Sequence, residues 1–327
     1  MSLPARLERR YADTRMKLLL RLALAANAAA LITLMLGSWT RINGAGLTCP
    51  DWPLCRGRLI PALGDGTIWE WSHRLLAFPV AALVLAVILV AWQQRRRSPF
   101  IAPATAVVAA LFVTQVFLGA QTVRLANMPL SVALHWATAM ALIASLSALA
   151  VFAAAFEEDA RPNRRRTPGG GSYVVPIALG ATAALAFATM FVGAYVSSSG
   201  AGLACLTIPG CAGNVVVYTS GQTVQMLHRF AAGTTLVVAA ASLALVWTYA
   251  TSARVRFTVL LGAALVAMQI VLGLLNVALR LPTGLREAHA VNAALVFLAF
   301  FVATAFAIFE AAPHSRSLPV ADDSAQR

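Results

Sequence analysis

GSWTRINGAGLTC (residues 37–49) and GAYVSSSGAGLAC (residues 193–205) lie over one another at a constant offset of 156. Within them GAGL recurs intact, Cys49 falls on Cys205, and just downstream Cys55 falls on Cys211. With small drifts in offset the match continues: His73-Arg74 lies over His228-Arg229, Gln115 and Gly119 over Gln269 and Gly273, and His135 over His289. The chain is therefore read as a duplication.

Around each copy lie four apolar stretches. Crossing a bilayer takes roughly 20 mostly apolar residues per helix, and eight stretches qualify: 18–39, 69–92, 100–123, 131–156, 173–196, 222–250, 257–279 and 287–311. Of 327 residues, 60% are hydrophobic and 11% charged, and the mean hydropathy is +0.76. A water-soluble domain has about a quarter of its residues charged and has nowhere to hide so much apolar surface. Strands are excluded because these runs are long and uncharged, and lipid demands internally bonded backbone.

The net charge of +13 suggests nucleic acid only until the basic residues are located. Of 25 Lys+Arg, 16 fall in the terminal segments and even-numbered loops and six in the odd-numbered loops; Arg21, Arg74 and Arg229 lie inside spans. That asymmetry places both termini in the cytoplasm, with no nucleic-acid partner. The first run is too long for a signal peptide, and the segment before it is short and contains Glu8 and Asp13, unlike a transit peptide. A bacterial plasma membrane is the expected location. Residues 157–172 (EEDARPNRRRTPGGGS) read as a cytoplasmic linker. The predicted fold is all-α: eight transmembrane helices as two duplicated four-helix bundles, 1–156 and 173–311, with a cytoplasmic tail over 312–327. Each half has an even number of spans, so a pseudo-twofold axis along the membrane normal relates them.

The repeat pairs four of the five histidines, His73, His135, His228 and His289, all near the outer ends of even-numbered spans; His314 is alone in the polar tail. A single intramembrane histidine is more often a structural hydrogen-bonding residue than a ligand. Four at one depth, duplicated, point to function. Two inward-facing imidazoles per bundle suit axial ligation of a heme iron. Zinc is the alternative, with two histidines per half and the cysteines outside in loops. Those cysteines have C-x5-C spacing on the oxidising side, so a disulfide is expected in each loop, Cys49–Cys55 and Cys205–Cys211. For Cys49–Cys55 a redox role is open as well.

The halves differ at Glu70, one helical turn before His73, where the second half has Gln225. Arg41 is likewise replaced by Ser197, and Asp51 by Thr207. Glu70 is either a carboxylate placed for acid–base chemistry or an interfacial side chain in water. Arg74 and Arg229 either pair with heme propionates or snorkel to the interface.

These residues resemble the heme A synthase family across all eight spans and the outer loops. The family's arginine- and glycine-containing stretch leading to Cys-x5-Cys is matched by TRINGAGLTCPDWPLCRG (residues 40–57), its E-x-x-H by Glu70 to His73, and its later histidines by His135, His228 and His289. The second cysteine pair occurs only in some members. The resemblance implies oxidation of the ring methyl of heme O to the formyl of heme A by successive hydroxylations, for cytochrome oxidase. It implies a resident heme b on His228 and His289, substrate heme O on His73 and His135, and participation of Glu70, Cys49 and Cys55. Arg41, Arg74 and Arg229 become candidate propionate contacts. Heme O synthase, cytochrome oxidase assembly proteins and an electron acceptor are the implied partners, with self-association open. A cytochrome with two resident hemes, or a heme carrier without turnover, would also explain four histidines, though not why only one half keeps Glu70.

Overall fold

The computed structural model describes residues 3–159 and 173–311, apart from 212, 214–216 and 250. The linker beyond residue 159, the tail 312–327 and His314 lie outside the described residues. Eight α-helices follow one another: α1 Leu3–Ile42, α2 Thr67–Gln93, α3 Ile101–Arg124, α4 Pro129–Asp159, α5 Val174–Ser198, α6 Ser220–Thr248, α7 Ala253–Ala278 and α8 Thr283–Ala311. A short 3-10 helix, Ala201–Leu203, follows α5. Each of the eight contains a stretch long and apolar enough to cross a membrane, and among the described residues there is no strand. This is an all-helical, multi-pass membrane protein.

Most of the helices begin a few residues before the apolar stretches, and α6 and α7 start at a side-chain cap. Thr219 accepts the N–H of Gln222 at the start of α6, and Ser252 that of Val255 at the start of α7. α1 is longest, running 40 residues, about 60 Å at 1.5 Å per residue, so its N-terminal part extends past a bilayer core.

Within the first four helices α1 packs on α2 and α4, and α3 on α4 and α2; in the last four, α5 packs on α6 and α8, and α7 on α8 and α6. The two sets meet where α4 packs on α5 and α8 and where α1 packs on α8. Lipid gives little hydrophobic drive for helix association, so close packing of small residues and interhelical hydrogen bonds must supply it. α4 and α8 accordingly contribute Ala144, Ala294 and Ala303 to the central core beside Met140, Phe297 and Phe300. Ser147 of α4 donates to Asn27 of α1, and Thr182 of α5 bonds Ser242 of α6 at 2.8 Å.

The GAGL stretches form matching turns. Gly44 and Gly200 both have φ 72°, a left-handed conformation that glycine adopts without steric cost. At the far ends of α3 and α7, Ala126-Asn127 and Arg280-Leu281 also share positive φ. Among the tryptophans, Trp52 and Trp69 are exposed, while Trp39 stacks edge-on against Trp69 and Trp136 packs against the central core.

Candidate functional site

The four histidines are held by two devices, each used once in each half. His73 of α2 donates from Nδ1 to the Thr33 carbonyl of α1 at 2.9 Å, and His228 of α6 to the Thr189 carbonyl of α5 at 3.1 Å. A carbonyl only accepts, so the proton sits on Nδ1 and the lone pair on Nε2. On the other side of each bundle Gln115 of α3 donates to Nε2 of His135 at 3.4 Å, and Gln269 of α7 to Nε2 of His289 at 3.2 Å. An Nε2 that accepts a hydrogen bond is likewise unprotonated, its lone pair engaged by the glutamine amide. Four imidazoles thus present the nitrogen that ligates metal.

One turn along each holding helix stands a glycine. A Cβ added at Gly37 would lie 2.6 Å from Cε1 of His73, at Gly119 3.1 Å from that of His135, at Gly193 2.8 Å from that of His228, and at Gly273 3.3 Å from that of His289. Each ring sets its Cε1 against the helix backbone in the space a Cβ would need. The pattern is T-x3-G on α1 and α5 and Q-x3-G on α3 and α7, since residues four apart share a helix face.

The rings of His228 and His289 stand at 73° to one another with centroids 6.3 Å apart. That spacing is one an edge-on ring pair adopts, and it also leaves room for an iron. Two metal–nitrogen bonds of about 2 Å each, plus the two half-rings, fill it. His73 and His135 also lie within electrostatic reach of one another. The buried Nδ1 atoms of His135 and His289 and the Oε1 of Gln115 have no partner, as in a site shaped for a further occupant. Among the described residues no cluster of three or more His, Cys, Asp or Glu is placed to hold a bare ion, which weighs against zinc. His228 and His289 fit a porphyrin iron between them, and the repeat gives His73 and His135 the same supports.

Next to the histidines sit the α1–α2 and α5–α6 loops, each closed by a disulfide: Cys49–Cys55 and Cys205–Cys211. Alkylation without reductant, read by mass spectrometry, should leave all four thiols unmodified; labelled Cys49 and Cys55 would mark a reduced resting pair.

The arginines beside the histidines do something the sequence did not suggest. Arg74 reaches over the first loop to the carbonyls of Cys49, Asp51 and Leu54 and to Glu70. Arg229 reaches over the second to the carbonyls of Cys205, Thr207, Pro209 and Gly210. Both guanidinium groups face loop backbone rather than open space. Arg41 instead donates to Ser197, its own repeat counterpart, at 2.9 Å.

Glu70 is buried, so it is no solvated interfacial acid. One carboxylate oxygen pairs with Arg74 at 2.6 Å; the other accepts the N–H of Cys49 at 2.9 Å and the hydroxyl of Thr48 at 3.0 Å. Gln225 accepts the N–H of Cys205 at 2.6 Å and donates to the Gly202 carbonyl. The two residues share a mechanical task, tying a cysteine loop to its helix, and differ in charge. Asp51 stays on the surface, where the backbone N–H of Gly57, with that of Arg56, holds its carboxyl below the usual range.

Fold and site together define a polytopic helical membrane protein with paired intramembrane imidazoles. Residues 20–301 match the model of the cytochrome oxidase assembly protein family (COX15-CtaA), and the chain belongs to that family. It is 31% identical to Heme A synthase of Shouchella clausii over 262 residues, 77% of this chain and 83% of the relative. Identity to Heme A synthase of Bacillus licheniformis is 28% over 302 residues, covering 89% and 94%. For that of Shewanella oneidensis it is 28% over 313 residues, covering 82% and 90%.

Proposed function

We propose that this protein is a heme A synthase, an oxidoreductase of a bacterial plasma membrane that turns a ring methyl group of heme O into the formyl group of heme A for cytochrome oxidase. The observation that carries the reading is the set of four unprotonated Nε2 atoms, on imidazoles each bedded on a glycine, in a chain whose relatives bear that name.

In this reading the chain is two four-helix halves, 1–156 and 173–311, about a pseudo-twofold axis along the membrane normal. Three features support it: Arg41 touches its counterpart Ser197, the α1–α8 packing has its counterpart in α5–α4, and α4 packs on its own counterpart α8. Both termini face the cytoplasm and the heme sites lie toward the outer face, as the basic residues suggest.

Replacing CH3 by CHO with water as the oxygen source releases four protons and four electrons, two of each per hydroxylation, with a hydroxymethyl compound between. His73 and His135 hold the substrate by its iron. His228 and His289 hold heme b, which supplies one-electron transfer when bound. Glu70, one turn from His73, takes up protons. Cys49–Cys55, tied to Glu70 through the Cys49 N–H, has the capacity of one step, two electrons and two protons on becoming a dithiol, and passes them to an external electron acceptor. Arg41 is the propionate contact retained; Arg74 and Arg229 act by holding the loops over the sites.

Protein purified from cells that make heme O should carry heme in both halves with the absorbance of bis-imidazole iron; a preparation with zinc and no heme would end the proposal. Gly193→Ala pushes a methyl into His228 and should weaken retention of heme b about 10–100-fold, the usual cost of disturbing a ligand's support, while Gly37→Ala should spare it.

A further inference from the structure

Gln115 and Gln269 occupy the same position in the repeat yet are held differently. Gln269 accepts from Asn292 at 2.8 Å, and its amide also donates to the backbone carbonyl of His289 at 3.1 Å. Asn292 is itself fixed by a 2.8 Å bond to the Leu265 carbonyl. When iron takes Nε2 of His289, Gln269 therefore keeps two hydrogen bonds. Gln115 has a single bond, to Nε2 of His135, and its Oε1 is buried with no partner. The residue at the place of Asn292 is Thr138, which does not reach it. When iron takes Nε2 of His135, Gln115 loses its one bond, and both ends of its amide are left without a protein partner. Buried amide groups without partners are costly and uncommon.

We infer that Gln115 is a specificity-determining contact for the oxidised substituent of the substrate: its amide bonds the hydroxyl created by the first hydroxylation, so the hydroxymethyl compound is held more tightly than heme O and stays for the second. A hydroxyl both donates and accepts, which suits an amide free at both ends; a methyl does neither. The inference rests on the reading that the first half binds heme O.

The test is equilibrium binding to full-length protein carrying heme b, with heme O and its hydroxymethyl derivative as separate probes. Retention is read by extraction and by the bis-imidazole spectrum. Wild type should hold the hydroxymethyl compound several-fold to about tenfold more tightly, the worth of one net hydrogen bond. Gln115→Leu should bring that ratio to about one and leave heme b in place. Thr138→Asn, which installs the latch of the second half and leaves every atom of Gln115 present, should do the same; it decides the matter if the leucine variant does not fold. A ratio unchanged in either folded variant, or no preference in wild type that binds both compounds, overturns the inference. Wild type that binds neither overturns the functional reading beneath it.

Discussion

His228→Ala or His289→Ala should yield protein largely stripped of heme b, whereas His73→Ala or His135→Ala should keep heme b and make no heme A. The reason is local. Each imidazole is positioned by its own carbonyl or glutamine and its own glycine, and surrounding hydrocarbon has no group to replace a lost ligand. Damage should stay in the half where it is made, because the two pairs share no holding residue. Heme content per protein and the ratio of extracted hemes measure this. Loss of the same heme to the same degree in all four variants would show that the halves do not divide the work.

The second large effect is expected at Glu70. Glu70→Gln should fold, insert and retain heme b, yet lower heme A formation by about 10²–10⁴-fold, the range of general acid–base catalysis, with the hydroxymethyl compound accumulating. Removing one member of a buried ion pair is ordinarily severe. Here the second half shows why the fold should survive: Gln225 holds the Cys205 N–H as Glu70 holds that of Cys49. Arg229 is satisfied by loop carbonyls alone, and Arg74 already makes the equivalent bonds. The substitution removes charge while the loop anchor persists. Wild-type yields of heme A from Glu70→Gln would reduce Glu70 to that anchor.

The helices, their number and the histidine pairs were legible in the sequence because apolar length and duplication are one-dimensional signals. The glycine beds were half legible. Gly119 and Gly273 stood out as repeat matches, and Gly37 and Gly193 opened the repeated stretch, but a cradle needs the register of a neighbouring helix. The common anchoring role of Glu70 and Gln225 was hidden, because sequence displays their charge difference and not the cysteine N–H that both accept. Arg74 and Arg229 read as propionate or interface residues for a similar reason: their partners are backbone carbonyls, which no residue type announces. Asn292 and Thr138 carry no signal in the sequence, because their difference matters only through Gln269 and Gln115.

The most direct test is to express the full chain in a membrane supplied with heme O and lacking any other source of heme A, then extract and separate the hemes. The account requires heme A, together with heme b bound to the purified protein, and no heme A when the heme O supply is withdrawn. Heme b with heme O left unchanged, from well-expressed and folded protein, would instead mark a cytochrome or a carrier and contradict it.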